Sequence, residues 1–334
     1  MSPPSSPFQV HDRRFDAILG SSPQLELLAS NPEYPFAHEA GIYLPTTNQL
    51  FITSSRYTGP DGQPKIQITR INLSEDNTPV TYDEIPTDIP FGNGGINYSN
   101  GDKGILICGQ GSLTVPSGLY HMSTAAPYTT TLLKGDFYGR PFNSVNDVVV
   151  HSDGSVWFTD PSYGFAQGFR PPPRLPNQVY RWDPSTGNTR VVADGFGMPN
   201  GICFAPDETV VYITDTQYLP GTGGVNERNP ATIYAFDVVR YHDEPFLTNR
   251  RVFAMTDAGI PDGIKCDTLG NVYSGCGDGI HVWSPGGVLL GRIRVQGGVA
   301  NFCFGKGGEI FALNEHRLWR VKLGGHVRGA LLGI

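Results

Sequence analysis

A repeated hairpin pattern constrains the fold of this 334-residue chain more than any other feature. Each copy has a short apolar strand, a turn rich in Asp, Gly, Pro or Lys, and a second apolar strand. In chain order the six copies lie at 39–55, 94–110, 146–161, 198–216, 262–279 and 300–316. Most are followed by a further strand and a polar turn, which gives about four strands per unit and unit starts roughly 40–60 residues apart.

Repeats of this size predict an all-β, six-bladed β-propeller with four antiparallel strands per blade. The segments PQLELLAS (23–30) and RLWRVKLGG (317–325) are expected to share one blade, so that N- and C-terminal strands close the ring. We therefore expect a single domain over 23–334, preceded by a Pro- and Ser-rich tail or loosely attached arm at 1–22. The 42 Gly and 28 Pro suit a chain with this many turns.

Composition and missing motifs exclude several classes of function. The net charge of -7 and the lack of Lys/Arg clusters argue against nucleic acid as a partner. No long apolar run or secretory leader is seen, which indicates a cytoplasmic protein without membrane attachment. The five cysteines have no C-x-x-C spacing and are interpreted as small buried hydrophobes. Nucleophile-elbow, zincin and Walker motifs are absent, so no nucleotide cofactor is expected, and the sequence does not indicate the oligomeric state.

The first residue of each repeat carries the main functional signal. Aligning the units on their fifth, apolar residue gives the first-position residues Glu39, Gly94, Asn146, Asn200, Asp262 and Ala300. The first strand of a propeller blade is innermost, so the four oxygen-bearing side chains should converge at the mouth of the central channel. Two carboxylates and two amide oxygens suit one divalent cation, Ca²⁺ first, with Mg²⁺, Mn²⁺ or Zn²⁺ as alternatives. Asn-Gly, Asn-Asp and Asp-Gly are also ordinary turn dipeptides, but their shared register favours the metal-site interpretation.

Four motifs, HEAGIYLP, NSVNDVVVHSDGSVWFTDP, MPNGICFAPDETVVYITD and GIPDGIKCDTLGNVY, resemble the senescence-marker-protein, gluconolactonase and luciferin-regenerating-enzyme family. This family is related to diisopropylfluorophosphatase and paraoxonase. The resemblance implies a six-bladed propeller that hydrolyses lactones around a divalent cation. It also implies that Glu39, Asn200 and Asp262 are metal ligands, that Asp262 is a general base, and that Asn146 contacts metal or substrate. Asp262 and Asn146 are thus the candidate catalytic residues.

The substrate is expected to differ from a simple sugar lactone. The sugar lactonases of this family carry an Arg two residues before the Asn of the N-D motif, where Ser144 stands here. The long segments 161–177 and 217–230 are candidate lids or binding loops. Their aromatic residues favour a more apolar substrate; with His38 and Ser144 they complete the candidate substrate contacts, namely Tyr163, Phe165, Phe169 and Tyr218.

Three further polar residues flank this predicted site. His38, beside Glu39, is a candidate proton shuttle, with a purely structural role as the alternative. Asp160 and Asp215 end second strands of their units and are expected at the lip of the pocket rather than on the metal.

The sequence therefore favours a metal-dependent hydrolase of a small lactone or ester. Asp262 would act as general base or as nucleophile, and the motifs do not choose between these roles. One alternative is a pocket recruited for isomerisation or cyclisation in secondary metabolism. The other is a non-catalytic binding scaffold with a structural metal.

Overall fold

The computed structural model describes residues 6–73, 80–99 and 103–334. These residues form six antiparallel sheets arranged as the blades of a β-propeller, as the repeat predicts. Blade 1 holds Glu39–Leu44, Gln49–Thr53, Ile68–Asn72 and Thr81–Ile85. Blade 2 holds Gly92–Ser99, Lys103–Gly109, Gly118–Ser123 and Thr130–Lys134. Blade 3 holds Val148–Val150, Val156–Asp160, Gln178–Trp182 and Thr189–Ala193.

The second half of the molecule continues this order and ends with a mixed sheet. Blade 4 holds Pro199–Phe204, Val210–Asp215, Thr232–Tyr241 and Glu244–Met255. Blade 5 holds Ile264–Cys266, Val272–Cys276, Gly279–Trp283 and Leu289–Arg294. Blade 6 holds Asn301–Phe304, Glu309–Asn314, Arg317–Lys322 and, outermost, the N-terminal strand Gln24–Ser30.

The innermost strands surround a central channel. The first strand of each blade contacts that of the next, and the first strand of blade 6 contacts that of blade 1. Hydrophobic clusters fill the space between adjacent blades, with Trp157, Tyr180 and Tyr273 among the largest fully buried side chains. The channel walls are therefore fixed by packing on their outer side.

The N-terminal segment differs from the loosely attached arm that its composition suggests. Phe8–Val10 forms a fifth strand on blade 5, paired with Leu289–Arg294. The helix Arg14–Leu19 follows, and its Phe15 is fully buried in a cluster with blades 5 and 6. The Pro- and Ser-rich composition describes only the first few residues, whereas FQV and FDAIL carry apolar groups that gain from burial.

Shorter elements lie in the connections. Two hairpins pair Tyr57–Thr58 with Pro64–Lys65 and Asp136–Phe137 with Arg140–Pro141. A one-turn helix spans Tyr163–Ala166, and a 3₁₀ turn spans Lys306–Gly308. Within the described ranges, no helix is long and apolar enough to cross a membrane. The cytoplasmic location stays a prediction.

Candidate metal centre and substrate cavity

One mouth of the channel opens into a cavity of about 460 Å³ that the four oxygen-bearing first-position residues share. Glu39, Asn146 and Asn200 are 3–6% exposed and line this cavity together with Asp262. Since each side chain stands at the start of an innermost strand, four different blades place them at one point. The repeat register alone predicts this convergence.

Side-chain hydroxyls at the ends of the second strands hold the first-position backbone in place. Thr159 Oγ1 donates to the carbonyl of Asn200 in the next blade at 2.6 Å, and Thr214 Oγ1 donates to the carbonyl of Asp262 at 3.1 Å. Thr53 Oγ1 does the same for Asn93 at 3.0 Å. At these three junctions a blade therefore fixes the start of the following one, which limits movement of the first-position side chains.

Glycines at or beside the first positions permit this close approach. A Cβ atom at Gly201 would lie 2.5 Å from the carbonyl oxygen of Asp262, and one at Gly94 would lie 2.5 Å from that of Asn146. Neither distance is compatible with a side chain, so the glycine of the N-G motif serves the packing of neighbouring strands. The turn interpretation of this dipeptide is unnecessary here.

Asp160 and Asp215 are buried and do not line the cavity, contrary to the expectation that they lie at its lip. Asp160 accepts hydrogen bonds from the backbone N–H groups of Asn143 and Ser144, both at 2.9 Å. Asp215 accepts from those of Gly197 and Met198, both at 2.8 Å. The two carboxylates thus hold the loops that enter the strands bearing Asn146 and Asn200.

Two oxygens at the first positions have no hydrogen-bond partner among the described residues. Oδ1 of Asn146 and Oδ1 of Asp262 are both buried from solvent and accept no bond. Buried oxygens of this kind normally have a partner, and hard oxygen donors are the ligands of Ca²⁺. No cluster of three His, Cys, Asp or Glu side chains suited to a metal occurs in the described part of the chain, so a cation here would depend on the two amides.

Negative charge concentrates around this point. Burial and the neighbouring Glu39 raise the pKa of Asp262 well above its usual range, and burial likewise raises the pKa of Glu39. Asn301 Nδ2 donates to Glu39 Oε2 at 2.7 Å and fixes the orientation of that carboxylate. The set is electrostatically suited to a cation.

His38 lines the cavity and forms an ion pair with Glu315. Its Nδ1 lies 2.7 Å from Glu315 Oε1, and both side chains are 30–40% exposed. Burial opposes protonation of the imidazole, but the carboxylates of Glu315, Glu39 and Asp262 outweigh this and raise the pKa of His38 to about 10. The contact leaves Nε2 as the ring nitrogen available to a ligand.

Of the predicted aromatic contacts, Tyr163 alone lines the cavity. Its hydroxyl donates to the carbonyl of Leu219 at 3.2 Å, which joins the two candidate lid segments. Phe165 is 47% exposed, Phe169 packs against Phe91, and Tyr218 lies outside the lining. Only one of the four aromatic residues on which the prediction of an apolar substrate rests therefore lines the cavity.

Ser144 is a structural residue rather than a substrate contact. It is 1% exposed and does not line the cavity. Its hydroxyl donates to the carbonyl of Pro161 at 2.8 Å and accepts from the N–H of Gly164 at 2.9 Å. It thereby anchors the turn that leads into the helix Tyr163–Ala166.

Sequence reasoning missed several polar residues of the cavity. Glu315, Arg56, Asn93 and Gln110 line it, and Asn301 supports Glu39 from behind. Asn301 and Asn93 stand directly beside first positions, so the repeat alignment could have found them. Arg56, Gln110 and Glu315 follow second strands and lie outside the register of first positions.

Comparison with known proteins identifies the family. Residues 67–311 match the SMP-30/Gluconolactonase/LRE-like region. The lactonohydrolase oryL of Aspergillus oryzae is 32% identical over 327 residues, which cover 92% of this chain and 72% of the relative. A gluconolactonase of Zymomonas mobilis is 28% identical and covered over 84% of its length.

Solved structures agree with this assignment. A gluconolactonase from Xanthomonas campestris superposes with a TM-score of 0.75 at 26% identity, covering 95% of both chains. The calcium-binding protein regucalcin from Agrobacterium tumefaciens shares the fold, with a TM-score of 0.63 at 17% identity over 92% of this chain and 95% of that one. With a family match over most of its length, the chain belongs to the SMP-30/gluconolactonase/LRE-like family.

Proposed function

We propose that this protein is a lactonase that opens a small lactone ring by hydrolysis with the help of one divalent cation, Ca²⁺ first. The observation that carries the proposal is the pair of buried, unpartnered oxygens on Asn146 and Asp262, inside a cavity that Glu39 and Asn200 also line. The names of the relatives, lactonohydrolase and gluconolactonase, support the reaction class.

The residues that would hold the cation are Glu39, Asn146, Asn200 and Asp262. Carboxylate and amide oxygens are the donors that Ca²⁺ prefers, with Mg²⁺, Mn²⁺ and Zn²⁺ as alternatives. When bound there, the cation would supply Lewis-acid stabilisation of the negative charge that develops on the lactone carbonyl oxygen. The two amides complete the set without further negative charge, so the donors carry no more negative charge than a divalent ion can neutralise.

Asp262 would start the reaction. As a general base its carboxylate takes a proton from the attacking water while the water oxygen bonds to the lactone carbonyl carbon. As a nucleophile it forms an acyl-enzyme anhydride as the ring oxygen leaves, and water then hydrolyses the anhydride. In both cases the ring C–O bond breaks and the ring oxygen leaves as an alcohol, so that lactone and water give one hydroxy acid.

His38 is placed to supply the proton for that leaving oxygen. Its side chain lines the cavity, and since Nδ1 is engaged by Glu315, Nε2 is the ring nitrogen left for the substrate. An imidazole held by a carboxylate in this way has a fixed orientation, which favours proton transfer.

Hydrolysis by the Ca²⁺-loaded protein tests the proposal. A panel of γ- and δ-lactones should be turned over, chelation should abolish turnover, and added Ca²⁺ or Mn²⁺ should restore it. Full activity in chelator would contradict the metal-dependent mechanism. No turnover of any lactone or ester by the metal-loaded protein would favour a recruited isomerisation or cyclisation, or a binding scaffold.

Single turnover in H₂¹⁸O separates the two roles of Asp262. Direct attack of water puts ¹⁸O into the product of the first turnover. A nucleophilic Asp262 whose anhydride is opened by water at the Asp262 carbonyl carbon instead gives a first product with ¹⁶O from that carboxylate, and ¹⁸O is then found in the protein.

A further inference from the structure

Arg56 is a fixed cation at the rim of the substrate cavity. It follows the second strand of blade 1 and lines the cavity. Its Nη1 donates to the carbonyl of Gln167 at 3.2 Å, and its guanidinium lies 5.3 Å from the centroid of the Phe169 ring. These two contacts, from a segment of blade 3, set the position of the charge without neutralising it.

The guanidinium has no acidic partner in the described part of the chain. Arg56 is exposed, whereas two more buried arginines are paired: Arg292 with Asp257 and Asp278, and Arg320 with Glu26 and Glu309. The remaining N–H groups of Arg56 find no acceptor among the described residues. A positive charge at a cavity rim that is held in place but unpaired is suited to an anionic ligand.

Two buried amides face the same cavity. Asn93 and Gln110 are each 7% exposed and belong to blade 2, next to Arg56 around the ring. Their backbones are fixed, since Thr53 donates to the carbonyl of Asn93 and the N–H of Gln110 donates to Phe91. Neither side-chain amide has a hydrogen-bond partner within the described ranges, and neither is closed off from solvent, so both are free to bind a ligand in the cavity.

We propose that Arg56, Asn93 and Gln110 form a subsite for a carboxylate substituent on the lactone, an inference that rests on the proposed hydrolase function. A guanidinium binds a carboxylate through two parallel N–H groups, and amide N–H₂ groups can complete its acceptor sites. One positive charge matches one negative charge. Glu39, Asp262 and Glu315 line the same cavity and would repel a dianion such as a phosphate ester more strongly.

The test compares two lactones that differ only in charge. The first is 5-oxotetrahydrofuran-2-carboxylate and the second is the corresponding carboxamide. We expect the wild type to prefer the carboxylate. Arg56→Gln should lower kcat/KM for the carboxylate by about 10–100-fold, as expected for loss of a hydrogen-bonded charge, and should leave the carboxamide within about twofold. Arg56→Lys should give a smaller loss, because an ammonium group lacks the planar fork.

Arg174→Gln is the matched control. Arg174 is exposed and lies in the same 161–177 segment as Gln167, but outside the cavity lining. Its replacement removes the same charge from the molecule, so unchanged kinetics on both substrates would assign the effect to the subsite.

Equal losses for both substrates in Arg56→Gln would overturn the proposal, because Arg56 would then position the 161–177 segment only. If the wild type hydrolyses neither lactone, the proposed function fails, and the subsite is tested by binding instead. In that case, calorimetry with 2-hydroxyglutarate, the ring-opened product, measures binding to the Ca²⁺-loaded protein. Weaker binding to Arg56→Gln than to wild type and Arg174→Gln would support the subsite without the reaction; equal binding would reject it.

Discussion

The two ends of the central channel are built by the same six strands, yet they have different chemistry. At one end the first residues of the strands present oxygens to the 460 Å³ cavity. At the other end, a cavity of about 390 Å³ is lined by the fifth residues, among them Tyr43, Phe204, Cys266 and Phe304. Four residues along a strand therefore separate a polar site from an apolar one.

The two ends also differ in whether their polar side chains have ion-pair or hydrogen-bond partners. Charged groups at the apolar end are paired, since Lys265 lies 3.9 Å from Asp147 and His151 contacts Asp153 and Glu208. Unpartnered buried oxygens occur at the polar end, on Asn146 and Asp262. Buried polar atoms without a partner also occur elsewhere, for example on Thr69 and Thr189, but the pair on Asn146 and Asp262 belongs to residues that line the cavity. Substitutions at the two ends should accordingly affect different properties.

The largest expected effect is on catalysis at the polar end. Asp262→Asn should lower kcat/KM for the uncharged carboxamide lactone by about 10²–10⁴-fold, because it removes the proton acceptor or nucleophile. Its Tm without added cation should equal or exceed that of the wild type, since the repulsion from Glu39 is relieved. Steady-state kinetics and thermal melts measure both. A variant within tenfold of wild-type activity would remove Asp262 from the mechanism.

Phe304→Ala should affect stability alone. The Phe304 ring packs 5.1 Å from Tyr273 and 6.1 Å from Phe302, so truncation should cost about 3–5 kcal/mol of the free energy of unfolding. Urea denaturation gives this value, and kcat/KM of the folded variant should stay within about twofold. Phe304→Leu, which keeps most of the volume, is the milder control. A loss of activity in that control would mean that the two ends are coupled.

Asp215→Asn should produce an intermediate effect on both properties. The variant keeps one acceptor for the N–H groups of Gly197 and Met198 and should cost about 1–3 kcal/mol. Because this loop leads to Asn200, Ca²⁺ affinity measured by calorimetry should fall about 10–100-fold, as for groups that orient metal ligands. Unchanged affinity in a destabilised variant would limit Asp215 to a packing role.

The smallest effect is expected for Ser144→Ala. Loss of its bonds to Pro161 and Gly164 should lower the free energy of unfolding by about 1 kcal/mol. KM for the uncharged carboxamide lactone should be unchanged. A melt and a substrate titration suffice as measurements. A tenfold rise in KM would return Ser144 to the substrate site.

The repeat made the fold and the core of the candidate site predictable. A register of six first positions is enough to bring Glu39, Asn146, Asn200 and Asp262 together, because blade geometry is the same in each unit. The five cysteines are buried and free, as expected for small apolar residues.

The loops were not predictable in the same way. Nothing in the spacing of Phe165, Phe169 and Tyr218 fixes which side of the 161–177 and 217–230 segments faces the cavity. Ser144 was misplaced because a short polar side chain can equally well bind backbone groups, as it does here. Asp160 and Asp215 stand at strand ends, and their burial depends on the loops before Asn146 and Asn200, whose N–H groups they bind.

The bond between Asn301 and Glu39 joins residues 262 positions apart in the chain. During synthesis the strand bearing Glu39 emerges from the ribosome long before Asn301. The strand Gln24–Ser30 also cannot pair until Arg317–Lys322 has been made. The nascent chain thus carries its acidic group without the amide that orients it until synthesis is nearly complete. Capture of the cation would then be among the last events in the biogenesis of this protein, and chains released early would lack a competent site.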